Sequence, residues 1–292
     1  VVVSSVSESV LIQALKSVLA QQFVREVIIV NTQEQASIEK ALTRFVRNHP
    51  KCYIVRGHQQ AGLAASYNLG AQHACGQYLL FMKANCVLAK NATAKLLATG
   101  ILKPTPWLIG APEKPSTIVF KPLSRIMSLL ENSFGALKYE SQQLQDFPEV
   151  SLPGGGFHAA SISPECLFLS AQSFLDLKGL DKKCFHSTFH KDLCLRIHFA
   201  GGGVYRAREF DVITFNANKP SSAATFRDEW QAFRGRFHFY QKYAGKQTNK
   251  FFMLFIYGAL ALGFISRTVA NVLGLFLPKK TQATIAKQTS FN

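Results

Sequence analysis

The first hundred residues alternate between short, continuous apolar runs and amphipathic segments with helical period, and nothing else in the chain restricts its fold so strongly. "VVVS" (1–4), "EVIIVN" (26–31), "KCYIV" (51–55) and "QYLLFM" (77–82) read as strands. Between them, "ESVLIQALKSVLAQQ" sets Leu11, Leu15, Val18 and Leu19 on one helical face, a second helix is predicted over 38–46, and "GLAASYNLGAQHAC" supplies a third. Strands that are apolar throughout, joined by amphipathic helices, predict an α/β fold with a mostly parallel sheet flanked by helices. Ligands of such sheets bind beyond the carboxyl ends of the strands. The strand Leu79–Met82 ends there in Lys83, Ala84 and Asn85, before a helical pattern resumes at Asn91.

After Pro104 the pattern loosens. A helix is predicted over 123–133, then a glutamine-rich stretch and a turn, "SLPGGGFHAAS". Order returns with "ECLFLSAQSFLDLKGLD", a strand and a helix ended by Gly179. "HKDLCLRIHFAGG" is a helix closed by glycines, and "GVYRAREFDVITFN" a final strand pair. Two parts are expected: a main domain over 1–224 and a helical extension over 225–292.

The extension begins basic and aromatic, with Arg227, Arg234, Arg236, Lys242, Lys246 and Lys250 among Trp230, Phe237, Phe239 and Tyr243. Fifteen uncharged residues follow, "FFMLFIYGALALGFI". A spanning helix needs about 20, so a buried helix, an in-plane or re-entrant membrane helix pair and a true span all remain open. Basic residues on both flanks (Lys250, Lys279, Lys280) favour the in-plane arrangement at an anionic membrane surface.

Net charge is +16, from 33 Lys+Arg against 17 Asp+Glu, which favours an anionic partner. No zinc-finger spacing occurs, and nucleic acid is not the expected partner. The six cysteines form no CxxC pair and read as reduced thiols of a cytoplasmic protein. The opening "VVVSSVSES" has neither the basic start nor the long apolar core of a secretory signal.

In this order, several phrases resemble the inverting family-two glycosyltransferases of GT-A fold, particularly bacterial rhamnosyltransferase-like members. "ALKSVLAQ" with "EVIIVN" resembles the family's first helix and second strand. "GLAASYNLGAQHACGQYLLFMKANC" resembles its Asn-x-Gly…Ala-x-Gly segment leading to the metal-binding turn. "CLFLSAQSFLDLKGLD" resembles the acceptor-side strand and helix, and "FHKDLCLRIHFAGGGVYRA" the segment with the catalytic base. The similarity spans about residues 1–245.

The resemblance implies a nucleoside-diphosphate sugar donor, positive charge on the departing diphosphate, usually a metal held by Asp-x-Asp, and a carboxylate that accepts the hydroxyl proton. This chain departs at each position. Lys83, Ala84 and Asn85 replace Asp-x-Asp, so divalent Mg or Mn is not expected as cofactor. Asn31 replaces the aspartate that contacts the base of the nucleotide. Phe189 and His190 replace the catalytic Glu-Asp pair, and Phe215 or Asn216 the histidine that follows the last strand. Asp192 survives as a catalytic candidate, although its offset from Arg196 equally suits a helix-start residue with an i,i+4 partner. His186 and His190 form an H-x-x-x-H pair, a second and weaker prospect for a metal.

Two readings follow. In one, a metal-free transferase uses the Lys83 ammonium in place of the cation and His190 as base, with Asn31 and Asn85 beside the donor. Its acceptor would be a lipid-linked or polysaccharide chain at the inner face of the cell membrane. In the other, the site has decayed and the fold serves as a catalytically inactive scaffold or binding subunit of a membrane assembly.

Overall fold

A computed structural model describes residues 2–4, 7–33, 35–58, 61–103, 105–112, 156–159, 161–184, 188–207, 212–215, 222–243 and single positions or short pieces between 254 and 268. The helix predicted over 123–133, the glutamine-rich stretch and His186 lie outside these residues.

The four expected amino-terminal strands form as β1 (Val2–Ser4), β2 (Val27–Asn31), β3 (Cys52–Arg56) and β4 (Tyr78–Lys83). They are mutually parallel, in the order β3-β2-β1-β4. Every residue of β2 is buried, as its unbroken apolar run requires. The connecting helices α1 (Glu8–Leu19), α2 (Ala36–Arg47) and α3 (Gly62–Gln72) cover the sheet. Leu11, Ala14, Leu15 and Val18 of α1, and Ile38, Leu42 and Phe45 of α2, are the buried stripes. The chain adds β2 and β3 on one side of β1, then β4 on the other. Such a reversal of direction opens a crevice at the carboxyl ends of the strands.

Beyond β4 the structure holds more strands than the sequence announces. β5 (Cys86–Leu88) follows the Lys83–Asn85 turn immediately, and β6 (Trp107–Pro112) follows α4 (Ala92–Ile101). The glycine-rich stretch expected to be only a turn contributes the edge strand β7 (Gly156–His158). β8 (Ile162–Ser170) lies antiparallel between β4 and β6, and β9 (Gly203–Ala207) pairs parallel with β6 and antiparallel with β7. The sheet order is β3-β2-β1-β4-β8-β6-β9-β7. The predicted final strand pair does not pair with itself. β9 joins this sheet, whereas β10 (Val212–Thr214) turns away to pair antiparallel with β5 in a separate two-stranded sheet.

Helix α5 (Ala171–Asp176) is capped by Ser170 Oγ, which accepts from Ser173 N at 3.0 Å. Past its end, Gly179 adopts φ +68° with a Cβ site 2.8 Å from Asn68 Oδ1, so only glycine fits without strain. Asn68 clasps this turn through both amide atoms, donating to Leu180 O and accepting from Leu180 N at 2.8 Å each. Two of the phrases that carried the family resemblance therefore meet in space. Helix α6 (Phe189–Phe199) follows, closed by glycines as predicted; Gly202 N donates to Ile197 O at 2.9 Å.

Two compact units divide the chain: Val1–Lys114 with Gln142–Ala217, and Pro115–Ser141 with Asn218–Asn292. In the second unit, α7 (Ser222–Tyr243) carries Phe226, Trp230, Phe233 and Phe237 along one helical face. Phe264 packs on the first three at ring distances of 5.4–6.0 Å, and Tyr257 on Phe237 at 4.4 Å. Among the described residues no helix is long and apolar enough to cross a membrane.

Candidate functional site

Lys83 closes β4 at the carboxyl edge, paired with Val3 of β1. Its side chain is half-buried and has no hydrogen-bond or ion-pair partner among the described residues. Ala84 is fully buried. Asn85 is bound into the local structure: Nδ2 donates to Phe215 O at 3.0 Å, and its carbonyl accepts from Phe215 N at 2.8 Å. That double link continues the β5–β10 ladder, in which Cys86 faces Thr214. It also brings Phe215, one of the two positions aligned with the family's histidine, against the turn aligned with Asp-x-Asp.

Asn31 ends β2 at 7% exposure. Its Oδ1 accepts from Gln33 N at 3.1 Å, an Asx turn that fixes the side chain at the strand's carboxyl end. Its carbonyl accepts from Gly57 N at 2.9 Å. A Cβ on Gly57 would lie 2.9 Å from Val30 Cγ1, so glycine lets the end of β3 close over β2. Nδ2 of Asn31 has no partner among the described residues.

His190 and Asp192 lie elsewhere. Both are 0% exposed in the first turn of α6. Asp192 Oδ2 accepts from Arg196 Nε at 2.8 Å, the i,i+4 pairing that its spacing allowed. Arg196 Nη1 also donates to Leu177 O, tying α6 to the end of α5. The His190 ring packs edge-on against Phe189 at 5.7 Å. Phe189 in turn meets Tyr67 of α3 at 6.1 Å, and Tyr67 meets Phe81 of β4 at 5.0 Å. In this arrangement His190 is a core residue beneath the site and touches no solvent from which an acceptor hydroxyl could arrive.

A carboxylate that the sequence reading passed over does reach the edge. β8 keeps a regular register with β4 up to Met82 and Cys166, but its register with β6 shifts between Gly110 and Pro112. Such bulges re-aim side chains next to active sites. Gly110 makes the shift possible, since its Cβ would sit 2.5 Å from Cys166 O. Glu165 stands on this stretch. Its backbone N donates to Ser163 Oγ at 3.3 Å, and its Oε2 accepts from Thr214 Oγ1 at 2.9 Å. Tyr67 and Cys166 lie close by, and burial pushes both the phenol and the thiol well above their ordinary pKa values. The one available sequence signal was "SPE" directly before an apolar run, and its meaning depends on a partner strand far along the chain.

A divalent cation needs several oxygen ligands, usually carboxylates. The turn offers instead a lysine cation and one amide oxygen, which accepts from Cys86 Sγ at 3.6 Å. That donor set does not fit such an ion. A cavity of about 390 Å³ opens at the opposite, amino edge of the sheet, lined by Phe23, Val24, Tyr78, Leu97 and Phe168, and contains none of Asn31, Lys83, Asn85, Glu165, His190 and Asp192.

Residues 1–105 match the family described as "Glycosyl transferase family 2". Among solved structures, GalNAc-T7 with UDP, GalNAc and Mn2+ is similar at TM-score 0.56 and 14% identity, covering 84% of this chain and 50% of that one. This chain thus spans about half the length of that relative. The mannosyltransferase PcManGT from Pyrobaculum calidifontis, in complex with GDP-Man and Mn2+, is similar at TM-score 0.54 and 14% identity, covering all of this chain and 79% of that one. Comparison with curated protein sequences returns no match. The family match is confined to residues 1–105, and the likeness to both solved structures is one of GT-A fold.

Proposed function

We propose that the chain transfers a sugar from a nucleoside-diphosphate donor to a lipid-linked or polysaccharide acceptor, with inversion and without a metal. The observation that carries this reading is Lys83. It is a half-buried ammonium with no anionic partner among the described residues, at the carboxyl edge of β4 where the fold receives ligands. The two similar structures hold UDP and GDP-Man, which supports a nucleoside diphosphate as the anion. Both also hold Mn2+. Here Lys83 supplies the positive charge for the departing diphosphate, and a fixed ammonium needs no carboxylates to hold it. Asn31 contacts the nucleotide's base, while Asn85 keeps the turn in place through Phe215. Leu254, Leu262 and Ile265 of the second unit are exposed, which supports attachment to the cytoplasmic face of an anionic membrane.

The scaffold reading is favoured by the burial of His190 and Asp192, the two residues expected to perform the chemistry. Calorimetric titration with UDP, GDP and their sugar conjugates, in EDTA and again in Mn2+, separates the two. The transferase reading expects binding in EDTA that Lys83→Ala weakens at least tenfold, about 1.4 kcal/mol. Binding that requires Mn2+ removes the lysine from the cation's role, and silence across the panel favours the scaffold.

A further inference from the structure

With His190 enclosed, the transfer proposed above lacks a proton acceptor, and the structure holds another group suited to the role. Glu165 lies on β8, the strand that resembles the family's acceptor side. Met82 pairs with Cys166, and one residue beyond that pair on each strand stand Lys83 and Glu165. The irregular register of β8 re-aims this part of the strand. Oε2 is held by Thr214 Oγ1 at 2.9 Å, while Oε1 has no hydrogen-bond partner among the described residues. Unlike Asp192, the residue is part-exposed.

We propose that Glu165 is the general base, with Thr214 as its positioning residue; this rests on the transferase reading. Oε1 takes the proton of the acceptor hydroxyl as that oxygen bonds to the donor's anomeric carbon. On the opposite face, the bond from that carbon to the diphosphate oxygen breaks, and its electron pair leaves with the diphosphate, whose charge Lys83 offsets. The titratable groups around Glu165 are Lys83 at the end of β4, Tyr67 from α3, Cys86 from β5 and Cys166 on its own strand. Burial keeps Tyr67 and Cys166 protonated near neutral pH, so neither repels the carboxylate.

The test uses the full chain with UDP- and GDP-sugars. Nucleoside-diphosphate release is followed against pH, and UDP and GDP binding by calorimetry. Glu165→Gln should bind within about twofold of wild type, lose about 10²–10⁴-fold in turnover and lose the acidic limb of the pH profile. Glu165→Asp should recover part of the rate. Thr214→Val removes the donor that holds the carboxylate and should lower kcat while UDP and GDP binding stays within about twofold of wild type. Wild-type turnover with an intact limb in Glu165→Gln overturns the proposal, as does loss of that limb in His190→Gln while Glu165→Gln keeps it. Should Glu165→Gln fail to fold, wild-type rates in both Glu165→Asp and Thr214→Val overturn it. A wild type that releases no nucleoside diphosphate from any donor overturns the transferase reading along with this one, and is recognised because no variant is needed to see it.

Discussion

At Gly110 a single hydrogen atom decides where a carboxylate can stand. Its missing Cβ would lie 2.5 Å from the Cys166 carbonyl and 2.6 Å from Ile162 Cδ1, and a backbone carbonyl in a sheet cannot step aside cheaply. Gly110→Ala should therefore cost about 1–3 kcal/mol in denaturant unfolding, and also lower turnover by shifting the strand that bears Glu165. An alanine variant of wild-type stability and rate would remove the glycine's role. Thiol and phenol groups at this scale give a pH dependence. Burial pushes the Cys52 thiol from 9.0 up to about 11 and raises Cys166 and Tyr67 in the same direction. The folded state then holds protons that the unfolded state releases, so stability is fully present below about pH 9 and falls as pH rises towards 11. Denaturant midpoints should be level from pH 7 to 8.5 and decline above that. At pH 8 an alkylating reagent should label exposed Cys75 first, and equally fast labelling of Cys52 would contradict the enclosure described here.

Helix α6 holds Asp192 in a local i,i+4 pairing. Asp192 and Arg196 are one turn apart, and the guanidinium reaches on to Leu177 O, so the pair fastens the helix to the end of α5. Asp192→Ala leaves a poorly solvated cation and should cost about 3–5 kcal/mol, with activity falling only as the folded fraction falls. A stable variant with turnover abolished would instead place Asp192 in the chemistry. The pairing could be read from sequence because i,i+4 spacing is local. β1 to β4 and their helices were legible for the same reason, since periods of 2 and 3.6 identify elements that bury one face or both. β5, β6 and β7 were not. β5 and β7 have only three residues each, and all three owe their hydrogen bonds to strands distant in sequence. The places of Lys83 and Asn31 at the ends of β4 and β2 were legible because a strand's carboxyl end can be located from its apolar run. Glu165 was not, because a shifted register exists only once β6 and β8 lie side by side.

The excess of positive charge and the exposed apolar side chains of the second unit belong to the molecule as a whole, and they make separable demands on a membrane. Net charge is +16, and Arg227 and Arg234 are exposed on α7. Leu254, Leu262 and Ile265 stand 68%, 64% and 55% exposed, while Phe264 and Tyr257 from the same stretch pack inward on the aromatic face of α7. Exposed aliphatic tips in a unit that also exposes arginines are what a helix lying in a membrane interface would need. Charge attraction is screened over about 10 Å at 0.1 M salt and about 3 Å at 1 M, whereas burial of leucine and isoleucine tips is not. The full chain should therefore sediment with phosphatidylglycerol vesicles at low salt and partly remain with them at 1 M salt. Leu262→Asn with Ile265→Asn should keep the low-salt binding and lose the remainder, because each change removes about 1.5–3 kcal/mol of apolar burial. Arg227→Gln with Arg234→Gln should do the reverse, weakening low-salt binding while the salt-resistant fraction persists. If the asparagine variant sediments like wild type at 1 M salt, the exposed tips do not enter the bilayer. If wild type never sediments with anionic vesicles, the second unit serves a partner other than a membrane.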